Sequence, residues 1–122
     1  MKDLRVVIIE ESDVIKEALR AAFAESQGCH LIGMATNPQE GLSLVMAEQP
    51  DVIMMDGSTP EHNIDLLRGI REIDQGVIII IFTAHDSPEM RIACRKAGAT
   101  FYVIKWQLRD LLDLLQLTRK LI

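Results

Sequence analysis

Cysteine is scarce in this chain: of 122 residues only Cys29 and Cys94 occur, far apart, with no CxxC spacing and no neighbouring histidine pair. A disulfide framework and a zinc site are therefore excluded as the basis of the fold. Proline and glycine are also sparse, at four and seven residues, and the chain is 48% hydrophobic and 25% charged. Such a composition is not that of a disordered, collagen-like or low-complexity protein. Long apolar runs are missing as well. The longest, Val77 to Phe82 extended by Thr83 and Ala84, falls well short of the roughly 18 residues a bilayer span requires, and Met1-Lys2-Asp3 opens no signal-peptide pattern. The expectation is a cytoplasmic protein with no membrane partner. Basic charge is in deficit too, with 13 Lys plus Arg against 18 Asp plus Glu and a net charge of −5. Nucleic-acid binding by this chain is not expected, because phosphate neutralisation needs a basic surface.

What is present is a regular alternation. Strand-length apolar runs at Leu4–Ile9, Cys29–Ala35, Val52–Met55, Val77–Phe82 and Phe101–Ile104 are separated by segments of helical period, with no linker between them. Several of these runs are nearly continuous Val, Ile, Leu and Met, as in strands covered on both faces of a parallel sheet. Ile15, Leu19, Ala22 and Phe23 form one helical stripe. Asn37-Pro38-Gln39-Glu40 opens a second helix with a cap residue, Pro at the first helical position and Glu at the third. A third helix is read from about Ile64 to Ile73, with Leu66, Leu67 and Ile70 inward. A fourth opens at Ser87-Pro88 and closes at Gly98. In the last, Leu108, Leu111, Leu112 and Leu115 make the stripe, while Leu114 and Leu117 exceed what one packed face requires. One α/β domain over residues 1–122 follows, a doubly wound five-stranded parallel sheet with helices on both faces.

Ligands of such a sheet bind at the edge where the strands end. The residues just past the apolar runs are Glu10-Glu11, Asp56, Thr83-Ala84 and Lys105, so three carboxylates, a hydroxyl and an ammonium are expected at one edge. Carboxylates gathered there repel by about a kcal/mol per pair at surface-like dielectric, which a cation relieves. Oxygen-only donors favour Mg²⁺. A mononucleotide cofactor is disfavoured, because Glu10-Glu11-Ser12-Asp13 would repel a phosphate where amides and hydroxyls are needed. His30, His62 and His85 have no metal-ligand spacing and read as surface or loop residues, with the alternative that His85, which follows Thr83-Ala84, borders the site.

The stretches VVIIEES, PDVIMMDGSTP, IIIIFTAHD and GATFYVIKW together resemble the receiver domain of two-component response regulators. That resemblance implies the flavodoxin-like strand order 2-1-3-4-5 and a phosphoryl-accepting signalling switch. It gives Asp56 the role of acceptor from a histidine kinase, a phosphotransfer protein or a small phosphodonor. Glu11, Asp56 and the Ser58 carbonyl would hold Mg²⁺, with Glu10 acting mainly through metal-bound water. Lys105 would pair with the developing phosphoryl charge, Thr83 would hydrogen-bond the product, and Tyr102, three residues before Lys105, would be the switch aromatic. Receivers of this kind often pair or bind partners through the fourth helix, fifth strand and fifth helix, which makes a homodimer there an expectation. The chain departs from the family at the acidic pair, which is Glu-Glu. It also departs at Trp106, where Pro and a cis peptide are common, at Ile64, where Gly is common, and at Phe101, where a small residue is common. An alternative reading keeps the fold as a pseudo-receiver, a binding module independent of phosphorylation because the Glu pair holds Mg²⁺ poorly.

Overall fold

Alternate residues of the apolar strands point to opposite faces, and both faces find a helical cover. The structure, a computed structural model, describes residues 1–57, 60–104 and 108–122, and the side chains of 60–62 are not described. Five strands, β1 (Leu4–Ile9), β2 (Cys29–Ala35), β3 (Val52–Asp56), β4 (Ile78–Thr83) and β5 (Phe101–Ile104), alternate with α1 (Asp13–Glu25), α2 (Pro38–Glu48), α3 (Pro60–Ile73), α4 (Pro88–Ala97) and α5 (Leu108–Leu121). The strands form one sheet in the order β2-β1-β3-β4-β5, and every pairing is parallel. This is the expected doubly wound, flavodoxin-like topology.

Two cores result. Val7, Ile9, Ile53, Met55, Ile79 and Ile81 meet Val45 of α2, Leu66, Leu67 and Ile70 of α3, and Cys94 of α4. On the other face Leu4, Val6, Ile8, Val52, Met54, Ile80 and Phe82 meet Leu19 and Phe23 of α1 and Leu111 and Leu115 of α5. Cys29 and Cys94 are both free and buried, and they belong to opposite cores. Burial pushes both thiols above their ordinary pKa. Of the surplus leucines on α5, Leu114 packs partly on the second core, while Leu117 stays 52% exposed.

Helix starts follow the punctuation. Ser12 Oγ accepts from Ile15 N, Asn37 Oδ1 from Glu40 N, and Ser87 Oγ from Met90 N. Gly98 ends α4 at φ 119°, a left-handed cap that favours glycine. Three elements differ from expectation, and β3 runs one residue further than read, through Asp56. Helix α3 begins at Pro60 rather than near Ile64, because Pro is compatible with the first turn of a helix even where it also reads as a loop residue. Strand β4 runs from Ile78 to Thr83, one residue later than read. Val77 belongs to the preceding turn, where Asp74 Oδ1 accepts its N–H and Arg71 Nη1 donates to its carbonyl. No helix among the described residues is long and apolar enough to cross a membrane.

Candidate functional site

All five strands end at one edge, and the register sets which residues meet there. Asp56 is the last residue of β3 and pairs with Phe82, which places it one position from Thr83 at the end of β4. Thr83 is in turn paired with Ile104, the residue before the expected Lys105. Glu10 follows β1 directly, and its N–H donates to the Ala35 carbonyl at 2.9 Å.

A cleft of about 640 Å³ opens between this edge, the start of α2 and the start of α3. It is lined by Glu10, Glu11 and Asp56 together, so the three carboxylates singled out from the sequence do share one site. Their surroundings differ. Glu10 is 1% exposed, and its Oε2 accepts the Ser12 N–H at 3.5 Å, whereas Glu11 is exposed and Asp56 is half-buried. Among the described residues no three His, Cys, Asp or Glu groups are spaced to hold a metal ion by themselves. Mg²⁺ typically takes one or two carboxylates and completes its shell with water, so it does not require three. The donor set on the cleft is oxygen-only and fits a hard divalent cation. Ser58, expected to offer a carbonyl, and Lys105 and Trp106 lie outside the described residues.

Thr83 is 1% exposed, and its Oγ1 accepts the His85 N–H at 3.2 Å. The Tyr102 hydroxyl donates to the His85 carbonyl at 3.3 Å, and the Arg91 guanidinium lies over the Tyr102 ring, 5.4 Å from its centre. Arg91 is itself held by Asp86 at 2.7 Å. Burial raises the Tyr102 phenol's pKa; Cys94 adds to the rise, while the Thr83 hydroxyl and Arg91 pull against it. The phenol therefore stays protonated and keeps donating at neutral pH. Thr83 and Tyr102 thus share one residue, His85, whose backbone joins them. Sequence reasoning placed His85 in a loop without giving it this part, and backbone groups leave no signature in residue type.

Gly57 is a second contributor that the sequence did not single out. Its N–H donates to the Phe82 carbonyl at 2.8 Å, and a Cβ there would come 2.9 Å from Ile81 Cγ2 and 3.0 Å from Thr83 Cβ. Glycine lets the chain leaving Asp56 lie directly against Thr83.

With fold and site in place, the comparisons with known proteins are decisive. Residues 6–116 match the family model described as the response regulator receiver domain. The chain belongs to that family. It is 31% identical over 102 residues to the chemotaxis protein CheY of Thermotoga maritima, covering 83% of this chain and 84% of that protein. It is 30% identical over 105 residues to the uncharacterized transcriptional regulatory protein YhcZ of Bacillus subtilis, covering 84% of this chain but 48% of that relative. The receiver chain thus spans about half the length of such transcriptional relatives. Among solved structures, a response regulator from Thermotoga maritima superposes with a TM-score of 0.83 at 26% identity, covering 95% of this chain and 96% of that one. CheY from Borrelia burgdorferi, solved in a complex with CheX, BeF₃ and Mg²⁺, shares the fold at a TM-score of 0.77 and 19% identity, covering 91% and 88% of the two chains.

Proposed function

We propose that this receiver is a phosphoryl-accepting switch and that Asp56 is its acceptor. One observation carries the proposal: Asp56 sits half-buried at the end of β3, on an open cleft shared with Glu10 and Glu11 and one register position from the buried Thr83. A carboxylate oxygen of Asp56 attacks the phosphorus of a phosphohistidine on a kinase or phosphotransfer protein, or of a small acyl phosphate. The new O–P bond forms as the donor's N–P or O–P bond breaks, and the donor atom leaves with the electron pair. The product is an aspartyl phosphate.

Transfer of this kind is mostly positioning and charge neutralisation, and two anions must approach each other. Glu11 and Asp56 would hold Mg²⁺, with the Ser58 carbonyl completing the set that the resemblance implies and Glu10 acting through water. The ion would supply positive charge beside the incoming oxygens. Lys105 supplies an ammonium for the same charge. Thr83 donates its O–H to the product phosphoryl group, a role separate from its lone-pair acceptance of the His85 N–H, and turning the side chain toward the phosphoryl oxygens weakens the bond from His85. That turn loosens the loop after β4 and, through the His85 carbonyl, the Tyr102 hydroxyl. The surface of α4, β5 and α5 is the output face, carrying Tyr102 and the exposed Ile92, Leu117 and Leu121. Association through it, as a homodimer or with a partner, would follow phosphorylation.

The test is intact mass after incubation with acetyl phosphate. A gain of one phosphoryl group is expected with Mg²⁺, and none with chelator or in Asp56→Asn. Labelling that persists in Asp56→Asn removes Asp56 from the role.

A further inference from the structure

Tyr102, the only tyrosine of the chain, is engaged by the stretch that follows β4. Its hydroxyl donates to the His85 carbonyl at 3.3 Å, and its ring lies under the Arg91 guanidinium, 5.4 Å from the ring centre. Arg91 in turn donates from Nη2 to Asp86 Oδ1 at 2.7 Å, and Asp86 follows His85 directly. The contacts therefore close on themselves, from the Tyr102 hydroxyl through His85 and Asp86 to Arg91 and back to the Tyr102 ring. Only Arg91 in this circuit belongs to a helix. Its N–H donates to the Ser87 carbonyl at 2.9 Å in the first turn of α4, and the fully buried Cys94 seats that helix on the first core. A planar guanidinium suits the place, because it stacks on an aromatic face while its edge donates to a carboxylate. A lysine ammonium, a point charge, does one or the other.

His85 also ties the circuit to the site, since Thr83 Oγ1 accepts its N–H. When Thr83 turns toward a phosphoryl group, the loop after β4 moves against the Tyr102 hydroxyl bond and the Asp86–Arg91 pair. We propose that Arg91 is a positioning residue that sets the threshold of the switch: it braces Tyr102 and the loop in the unphosphorylated arrangement and so opposes the turn of Thr83. The proposal rests on the reading of Asp56 and Thr83 as the phosphoryl site and adds the residue that regulates it. Asp86 and Arg91 are both exposed, so each contact alone is weak. A two-state equilibrium needs no more, because a brace worth a few fold lowers the apparent affinity for the phosphoryl group by the same factor.

The test has two arms, with substitutions at an exposed position of α4 that leave the core intact. In the first, without metal or phosphodonor, the Tyr102 ring is followed by NMR, where a single tyrosine gives one unambiguous set of signals. The parent should show one χ1 rotamer, and Arg91→Ala should show rotamer averaging. Arg91→Met, which keeps the stem but not the charge, should behave as Arg91→Ala, while Arg91→Lys should restore part of the parent's order. In the second arm beryllofluoride, a mimic of the phosphoryl group, is titrated with saturating Mg²⁺. Arg91→Ala should bind it about fivefold more tightly than the parent, with Arg91→Lys between the two. A single rotamer in Arg91→Ala and Arg91→Met overturns the proposal, as does equal or weaker beryllofluoride binding by Arg91→Ala when the parent binds. A parent that binds none overturns the phosphoryl reading, and this proposal with it.

Discussion

The two edges of the sheet are built on opposite plans. Where the strands begin, two arginines tie distant segments together. Arg71 donates from Nε and Nη2 to the Gly98 carbonyl at 3.0 and 2.7 Å, and from Nη1 to the carbonyls of Val77 and Gln75 at 2.7 and 3.1 Å. It thereby closes the entries to β4 and β5. Arg119, 8% exposed, donates to the Lys2 carbonyl at 3.0 Å, and to the Gln27 carbonyl and Gln116 Oε1 at 2.7 Å each, closing the entries to β1 and β2. Asp51 serves the entry to β3, where its Oδ2 accepts the Arg5 N–H at 2.9 Å. Where the strands end, the described side-chain bonds are mostly local, such as Ser12 N to Glu10 and His85 N to Thr83, each spanning two residues. Among the described residues the arginine clamps that span the most chain lie at the edge without chemistry, while Lys16 to Thr36 and Tyr102 to His85 are the longer links of the other. At the other edge Glu10 and the Thr83 hydroxyl each accept from a backbone N–H two residues on.

Substitutions should separate the two edges. Arg71→Ala strips donors from partly buried carbonyls and should cost about 3 kcal/mol in urea unfolding, with labelling per folded molecule unchanged. Loss of labelling without loss of stability would contradict the division. Gly28 lies at φ 74°, and a Cβ there would fall 1.9 Å from the Arg119 guanidinium carbon. Gly28→Ala combines left-handed strain with displacement of that group and should cost about 2 kcal/mol by the same measurement.

On the opposite edge, Gly57→Ala should reverse the pattern. The added methyl presses on Ile81 and Thr83 and moves Asp56 relative to the hydroxyl, so phosphoryl transfer should slow by about tenfold while stability falls by only about 1 kcal/mol. Equal transfer rates would show that the spacing of Asp56 and Thr83 is not critical.

The smallest effect concerns Asp3. A hydrogen bond from the exposed His30 is the main cause of its lowered carboxyl pKa, with Arg119 assisting. A depressed folded-state pKa contributes stability above the unfolded value, which is lost as pH falls through the folded one. Melting curves from neutral to about pH 3 should therefore fall less steeply in Asp3→Asn than in the parent, by a small margin because the pair is exposed.

The fold was legible because its signals are local. Apolar runs, cap residues and Gly98 mark the elements within about a residue, except at α3, where Pro60 fits a loop and a helix start equally well. Glu10, Glu11, Asp56 and Thr83 were legible because strand ends in a parallel sheet share one edge whatever the loops do. The arginine clamps were not. Arg71 and Arg119 look like ordinary charges near helix C-termini, and their partners are carbonyls as far as 27 and 117 residues away.

The central claim is that phosphoryl chemistry belongs to the strand-end edge and to Asp56 in particular. Its most direct test is to treat the labelled protein with sodium borohydride, which reduces an acyl phosphate to an alcohol, and to sequence the peptides by mass spectrometry. Homoserine at position 56 and at no other acidic residue is the predicted result. Homoserine at another aspartate, or 5-hydroxynorvaline (the alcohol that a glutamyl phosphate yields) at Glu10, Glu11 or another glutamate, with position 56 unchanged, would contradict it.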